Sequence, residues 1–306
     1  MMLGFICAAS QGSVLVEMAK KNPDIVVVSQ DMGPFGPFSA EFPERFFDVG
    51  ISEANLIGVA AGLAHAGKLP FVVGMAPFVS MRSFEQIRTD CGYNRNNVKI
   101  IAPCSGLEGG YWGATHHAVE DLALLRMIPG MTVLCPADPA EASRAVRAAA
   151  EVDGPVYIRI GYLLPIEGYE EKLEVGRAVL MREGSDIAIV ATGASVIQAI
   201  RAHDLLKEKG ISARVLNMHT IKPIDRQAIR AAAVEIGRVV TVEEHFVNGG
   251  LGGAVAEVMA ELGSGRLVRM GLEDEFVMEV ANYPDILKLA GLDADSIAAT
   301  AGSLLD

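Results

Sequence analysis

The sequence predicts an α/β fold with a parallel sheet in each of two domains. Short β-branched runs such as Asp24–Gln30 alternate with longer segments of helical period, and this alternation is typical of a parallel sheet covered by helices on both faces. The pattern breaks near Gly161 and restarts at Asp186. A length of 306 residues also suits about two domains. We therefore expect a first domain at residues 1–165 and a smaller α/β domain at residues 176–306.

In the first domain, apolar runs with the length of buried strands alternate with helical segments. The predicted strands are Asp24–Gln30, Phe71–Val73, Val98–Ala102, Met131–Cys135 and Pro155–Ile160. The predicted helices are Ser10–Lys21, Glu53–Ala66, Ser80–Cys91, Val119–Met127 and Pro139–Glu151. The last helix has the clearest start, because Asp138 is a suitable N-cap and Pro139 favours the first helical position.

A stretch with Pro165, Gly168 and four carboxylates within residues 167–174 is predicted to link the two domains. Beyond it the alternation continues on a smaller scale. Strands are predicted at Asp186–Ala191, Ala213–Met218 and Arg238–Val242, with helices ending at Lys209, starting at Asp225 and spanning Leu251–Leu262, and with short amphipathic helices at Asp285–Leu289 and Asp293–Leu304.

The composition argues against several classes of protein. A formal net charge of −12 repels phosphate, so neither nucleic acid nor a membrane surface is an expected partner. The longest apolar stretch, Ile57–Val79, is interrupted by His65 and Lys68, so no membrane-spanning helix is predicted. The four cysteines are isolated from one another, and the apolar start has no basic region of the kind found in signal peptides. We expect a cytoplasmic protein.

The apolar share is high for a chain of this size. With glycine included and tyrosine left out it is about 60%, against a usual share of about 45–50%. The hydrophobic cores of two small domains cannot easily bury that much apolar surface. We therefore expect a large interface with another subunit.

One candidate for chemistry is Glu53, which follows a predicted strand end and begins a helix rich in glycine and alanine. A carboxylate at this position can simply complement the helix dipole. It can also be a partly buried acid that shares a proton with a nitrogen atom of a ligand. The residues alone leave both interpretations open.

A second candidate is the loop at residues 104–117, which contains four glycines and the only tryptophan. Loops of this length in a compact α/β domain are usually functional. His116 and His117 end the loop, and adjacent side chains point in different directions, so we expect no joint metal site. A single histidine that acts as an acid, a base or a hydrogen-bond donor to a substrate fits better.

The glycine-rich run at residues 248–254 follows a strand and opens a helix. It does not meet the dinucleotide-binding spacing G-x-G-x-x-G, because position 255 is valine. We therefore interpret it as a turn that permits close helix packing or subunit contact.

Taken together, these motifs resemble the transketolase family of thiamine-diphosphate enzymes, specifically the C-terminal half of a transketolase encoded as a separate subunit. The matching segments are Phe47–Glu53, Gly113–Asp121, Ala191–Gly193 and Thr241–Gly253. Their order corresponds to the family's pyrimidine-binding domain followed by its smaller α/β C-terminal domain. The resemblance implies a transferase that moves a two-carbon ketol unit from a ketose donor to an aldehyde acceptor.

The resemblance also implies how the cofactor is bound. Glu53 matches the glutamate that hydrogen-bonds N1′ of the aminopyrimidine and exchanges a proton with it, and Asp31 matches a carboxylate near that ring. Phe78 would supply the ring that stacks on the pyrimidine, with Arg82 also among the cofactor-binding residues.

On the substrate side, His116 matches a substrate-facing histidine and Arg159 an arginine that grips the substrate phosphate. Trp112 stands where ordinary transketolases have an aspartate that contacts a sugar hydroxyl, and Cys104 and Cys7 stand where a histidine and an arginine are expected. Each lost charge-assisted contact weakens binding by about 1.5–3 kcal/mol. We therefore expect a less hydroxylated or bulkier substrate than the usual pentose phosphates.

The family binds the diphosphate through Mg²⁺ held by a Gly-Asp-Gly run and a later asparagine, and this sequence contains no Gly-Asp-Gly. The resemblance thus implies a partner, an N-terminal transketolase subunit that holds the diphosphate and the metal, in a heterotetramer that also self-associates through both domains of this chain. Two alternatives remain open. One is the β subunit of an α-keto acid dehydrogenase E1 component, and the other is a non-catalytic scaffold subunit.

Overall fold

The computed structural model describes residues 3–32 and 36–305. The outermost residues of the two predicted domains, 1–2 and 306, therefore lie outside the described residues. The strands of the described part are β1 (Ile25–Ser29), β2 (Phe46–Asp48), β3 (Leu69–Val73), β4 (Lys99–Ala102), β5 (Thr132–Leu134), β6 (Val156–Arg159), β7 (Val179–Arg182), β8 (Ile187–Ala191), β9 (Ala213–Asn217), β10 (Thr220–Lys222), β11 (Arg238–Phe246) and β12 (Arg266–Leu272).

Helices connect most of these strands. They are α1 (Leu3–Ala19), α2 (Pro37–Glu41), α3 (Glu53–His65), α4 (Ala76–Met81), α5 (Phe84–Gln86), α6 (Asp121–Met127), α7 (Pro139–Glu151), α8 (Ser195–Glu208), α9 (Arg226–Glu235), α10 (Leu251–Leu262), α11 (Tyr283–Leu289) and α12 (Ala294–Ser303). No helix in the described part of the chain combines the length and the apolar composition needed to cross a membrane.

The strands form two sheets. The first has the order β10-β5-β6-β4-β3-β1-β2 and the second the order β12-β11-β8-β9-β7. Every pairing is parallel except β10 with β5 and β7 with β9, which are antiparallel edge pairs. The predicted α/β fold with parallel sheets is confirmed.

Helices cover both faces of the first sheet. Val27 of β1 packs in a core cluster that includes residues of α1 and α7, whereas Val28 packs in a cluster that includes residues of α3 and α6. Successive residues of a strand point to opposite faces. All residues of β1, β3, β4, β5 and β6 are buried, which explains why these strands are continuous apolar runs in the sequence.

Four strands have no predicted range, namely β2, β7, β10 and β12, although a strand end is expected before Glu53, where β2 lies. Two of them, β2 and β10, have only three residues each. The strand β10 comes from the second half of the chain but extends the first sheet, with Thr220 opposite Leu134 and Lys222 opposite Val133. Such non-local pairing leaves no local pattern in the sequence.

The helix predicted at Ser80–Cys91 is interrupted. The chain forms α4, then α5 and then a π-helical turn at Ile87–Tyr93. The hydroxyls of Ser80 and Ser83 each donate a hydrogen bond of 2.6 Å to a carbonyl four residues earlier, a competing interaction that often bends helices. The helical segment also begins earlier than predicted, at Ala76, so Phe78 lies inside α4 rather than before the helix.

The topology brings the predicted site residues to one edge of the first sheet. The strands β4, β3, β1 and β2 are neighbours in this order, and parallel strands end at the same edge. Asp31 follows β1, Glu53 follows β2, Phe78 follows β3, and the loop at 104–117 follows β4. Residues that are far apart in the sequence therefore meet there.

Candidate active site

Glu53 is the first residue of α3, and only 2% of it is exposed. Its Oε1 accepts a hydrogen bond of 2.8 Å from Nη1 of Arg82. The Arg82 side chain is 54% exposed. A buried carboxylate is thus paired with a cation that reaches it from the surface.

Asp31 lies two residues after the end of β1. Its backbone N–H donates to Oδ1 of Asp48 at 3.0 Å, and the N–H of Gly50 donates to the same oxygen at 2.9 Å. Asp31 and Gly50 both have positive φ angles, 50° and 69°. Asp48 thereby holds the end of β1 to the turn before α3. This function of Asp48 is absent from the sequence-based predictions, although Asp-x-Gly is a pattern typical of turns closed by an aspartate side chain.

Aromatic rings join Arg82 to His116. The guanidinium carbon of Arg82 lies 4.5 Å from the ring centroid of Phe78, and the Phe78 centroid lies 5.2 Å from that of His116 with the rings edge to face. The Trp112 ring lies 5.0 Å from the same histidine. The structure thus brings together Glu53, Arg82, Phe78, His116 and Trp112, which we call the Glu53–His116 cluster.

The two adjacent histidines differ in their surroundings. His116 is partly exposed, and its Nδ1 lies 2.9 Å from Oγ1 of Thr115. His117 is 4% exposed, and its Nε2 has no hydrogen-bond partner among the described residues. Burial lowers the pKa of both imidazoles below the usual value, and the neighbouring His116 lowers the pKa of His117 further. Both rings are therefore neutral near pH 7.

Cys104 and Cys7 are buried thiols. The Cys104 Sγ, in the first residue of the loop, lies 3.9 Å from the carbonyl oxygen of His116, and burial raises the pKa of this thiol far above its usual range. Burial also raises the pKa of Cys7 to about 12. Neither residue carries a charge near neutral pH, so neither replaces the basic group that the family resemblance leads one to expect.

Arg159 forms its hydrogen bonds with residues outside the Glu53–His116 cluster. It is 4% exposed, and its Nε donates to Oδ2 of Asp121 at 2.8 Å. Its Nη2 donates to the carbonyl oxygens of Ala118 and Glu244 at 2.8 and 2.9 Å. Tyr157 donates its hydroxyl to the same Asp121 carboxylate. These bonds tie the first domain to β11, and they do not support the phosphate-gripping role predicted for Arg159.

Asp121 is more than a helix-start residue. It is the first residue of α6, where a carboxylate favours the helix dipole, but it is also fully buried and pairs with Arg159. The charge of Arg159 at the end of the buried strand β6 is the one sequence feature that indicates a buried anionic partner.

The glycine-rich run at 248–254 packs around a carboxylate. Oε2 of Glu243 accepts from the N–H of Leu251 at 2.6 Å, and Oε1 accepts from the N–H of Gly252 at 2.7 Å. A Cβ atom at Gly250 would lie 2.1 Å from Glu243 Oε2. Glu243 thus occupies the start of α10, where a phosphate would otherwise bind, and this supports the close-packing interpretation of these glycines.

Residues 3–32 and 36–305 contain no group of three or more His, Cys, Asp or Glu side chains arranged to hold a metal ion.

Two family models match the chain. The model described as the transketolase pyrimidine-binding domain matches residues 7–162, and that described as the transketolase C-terminal domain matches residues 176–297. Together they span most of the sequence.

The proteins similar to this chain include subunits of two named transketolases. An apulose-4-phosphate transketolase subunit of Phocaeicola vulgatus is 41% identical over 302 residues, which cover 96% of each chain. The 6-deoxy-6-sulfo-D-fructose transketolase subunit SqwH of Clostridium sp. (strain MSTE9) is 41% identical over 268 residues, which cover 86% of this chain and 83% of the relative. A solved structure described as a split gene transketolase, inactive beta4 tetramer, is 42% identical, with a TM-score of 0.89 and 98% coverage of both chains.

Proposed function

This chain belongs to the transketolase family, and we propose that it is the C-terminal subunit of a split enzyme that transfers a two-carbon ketol unit from a ketose donor to an aldehyde acceptor. The observation that carries this proposal is the Glu53–His116 cluster. It places a buried acid, an aromatic ring and a neutral histidine at the edge where parallel strands end, which is the usual position of ligands in such sheets.

The residues present fit the thiamine diphosphate that the family implies. Glu53 offers a carboxylate at the start of a helix, suited to a protonated ring nitrogen, and Phe78 offers a ring for stacking. Nearby, Oε1 of Gln30 is buried without a hydrogen-bond partner among the described residues, and an unpaired buried acceptor favours a polar ligand. When bound, thiamine diphosphate supplies the nucleophilic carbon and the electron sink that allow the donor's C–C bond to break.

Glu53 would hold and return a proton at N1′ of the aminopyrimidine. Arg82 occupies Oε1 of Glu53, and its half-exposed side chain can turn toward solvent when the ring nitrogen approaches. The carboxylate then accepts or donates the proton in a site that is screened from water, where such transfers are most effective.

His116 would face the substrate. Because burial keeps its pKa low, the neutral ring can donate one hydrogen bond and accept another at the substrate oxygens. The rings of Phe78 and Trp112 lie against it. They orient the imidazole and exclude water from the reacting carbon atoms.

The cofactor's diphosphate and Mg²⁺ would be held by a separate N-terminal subunit. The proposal is supported by the relatives named as subunits and by the split-gene beta tetramer described as inactive. Apolar surface is available next to the site, since Ile51 is 75% exposed two residues before Glu53. This surface suits the interface with a second subunit that the composition leads us to expect.

The substrate would be less hydroxylated or bulkier than a pentose phosphate. Two relatives that are both 41% identical to the chain are named for different sugars, so identity alone does not transfer a substrate. Within the cluster, Trp112 presents an apolar ring beside His116. An indole ring favours apolar substrate surface over a hydroxyl.

Reconstitution tests the proposal. The chain and an N-terminal transketolase subunit, alone and mixed, are titrated with thiamine diphosphate and Mg²⁺ by calorimetry and assayed for ketol transfer with a panel of ketoses and aldehydes. Cofactor binding and ketol transfer only in the mixture support the proposal. Full binding and activity of the partner alone would establish a scaffold role instead. Oxidation of an α-keto acid with an artificial electron acceptor, without ketol transfer, would favour an E1-type β subunit.

A further inference from the structure

The loop at 104–117, which carries Trp112 and His116, has little regular structure of its own. Two backbone hydrogen bonds of 3.0 and 3.1 Å between Gly106 and Ala118 close its base. Between these ends there are only two short 3₁₀ turns, Gly110–Trp112 and Ala114–His116. The position of His116 therefore depends on what the loop packs against.

The first support comes from β11 in the second half of the chain. Glu244 is 3% exposed, and its Oε2 accepts a hydrogen bond of 3.1 Å from the N–H of Leu107. A Cβ atom at Gly106 would lie 2.5 Å from that oxygen, so a glycine is needed for the carboxylate to come this close. Glu244 thus holds the loop at Leu107, the residue after Gly106.

The second support is the segment that leads into α11. The hydroxyl of Tyr283 donates to Oε1 of Glu244, and its ring stacks on Tyr162 with centroids 4.0 Å apart. A Cβ atom at Gly110 would lie 2.6 Å from the carbonyl oxygen of Ala281. The turn that contains Trp112 therefore packs directly on the residues before Tyr283.

We infer that Glu244 and Tyr283 are positioning residues. Through them the C-terminal domain fixes the position of His116 relative to the substrate. Glu244 holds the loop, and Tyr283 holds Glu244 in the orientation that reaches Leu107. The inference about the substrate rests on the proposed function, whereas the inference about the order of the loop does not.

The variant Tyr283→Phe isolates this link, because it removes the hydroxyl and keeps the ring that stacks on Tyr162. Tyr169→Phe is a matched control. Tyr169 is also 7% exposed, like Tyr283, and its hydroxyl donates to the buried Glu141 of α7 at 2.5 Å. Both variants remove a tyrosine hydroxyl that donates to a buried carboxylate. Only in Tyr283→Phe is that carboxylate also the one that holds the loop.

The first readout needs neither partner nor cofactor. Trp112 is the only tryptophan of the chain, so the quenching of tryptophan fluorescence by acrylamide in the chain alone reports on this loop. We expect Tyr283→Phe to raise the quenching constant of Trp112 and Tyr169→Phe to leave it at the wild-type value. Equal quenching in all three proteins would overturn the inference.

The second readout uses the reconstituted complex. We expect Tyr283→Phe to raise the KM for the ketose roughly 10-fold, as for the loss of one hydrogen bond to a charged group, with kcat and cofactor affinity within a factor of about 2. In a His116→Gln background the same change should have little further effect, because the loop then no longer positions an imidazole. Additive effects, or an equal rise in KM for Tyr169→Phe, would show that Tyr283 is only structural. A wild-type complex without ketol transfer would instead refute the proposed function, and the quenching test would still stand.

Discussion

Glu53 and Arg82 form an ion pair whose two members differ sharply in exposure. The carboxylate side chain is 2% exposed and the guanidinium side chain 54%, with 2.8 Å between Oε1 and Nη1. A buried carboxylate is costly unless it is paired, whereas an exposed arginine loses little when it returns to water. The pair therefore keeps the Glu53 carboxylate in a site shielded from water, while the half-exposed Arg82 side chain is free to move.

Removal of the cation should destabilise the chain. The variant Arg82→Met keeps the aliphatic length but leaves Glu53 buried without its partner, at an expected cost of about 1–2 kcal/mol in the free energy of unfolding at pH 7. Urea denaturation at a fixed protein concentration measures the change. Arg88→Met, on the exposed side of the following helical turn, is the control and should cost less than about 0.5 kcal/mol. Equal costs for the two variants would contradict the pairing.

Replacement of the Glu53 carboxylate by a neutral amide should lower kcat. Glu53→Gln keeps the size of the side chain but cannot exchange a proton at the pyrimidine nitrogen, so kcat of the reconstituted complex should fall by roughly 10²–10⁴-fold. Steady-state assays with the ketose in excess measure this effect. The exposed Glu85 of α5 provides the control Glu85→Gln, which should keep wild-type kcat. Retention of kcat in Glu53→Gln would remove Glu53 from the reaction.

Much of this site could be predicted from the sequence because its residues follow strand ends. The apolar runs that become β1, β3 and β4 are followed by Asp31, Phe78 and the loop with His116, and the order of such strands brings these residues to one edge. Glu53 was also predictable, as an acid at the start of an apolar helix.

The contacts that hold the site could not be predicted in the same way. The bond from Leu107 to Glu244 spans 137 positions, and Arg159, expected at the substrate, is held by Asp121 instead. These contacts form through tertiary packing, and no local hydrophobic periodicity or sequence motif indicates them. A charged residue within a buried strand indicates that a partner exists, but not which residue it is.

The pH dependence of stability should reveal the buried His117. Its pKa is lowered by burial and by His116, so the folded chain keeps the ring neutral while the unfolded chain takes up a proton below about pH 6.5. Stability should therefore fall as the pH drops from about 6.5 toward the folded-state pKa, with a slope of up to about 1.4 kcal/mol per pH unit from this group. Urea midpoints between about pH 5 and 8 should show a smaller slope for His117→Gln. The exposed His65 gives the control His65→Gln, and the interpretation fails if the two variants have the same slope.

The glycine at position 250 should tolerate no side chain. A Cβ atom there would lie 2.1 Å from Oε2 of Glu243 and 2.9 Å from its Cδ, and the carboxylate cannot retreat without losing the two N–H groups that it caps at the start of α10. The expected cost of Gly250→Ala is at least the lost cap, about 1–3 kcal/mol. In α12, by contrast, a Cβ atom at Gly302 would meet nothing within 4 Å. Gly302→Ala should therefore stabilise the chain by about 0.5–1 kcal/mol through better helix propensity, and thermal or urea unfolding of the two variants should move in opposite directions. Wild-type stability of Gly250→Ala would mean that Glu243 can leave the helix start, which would reopen that position to an anionic ligand.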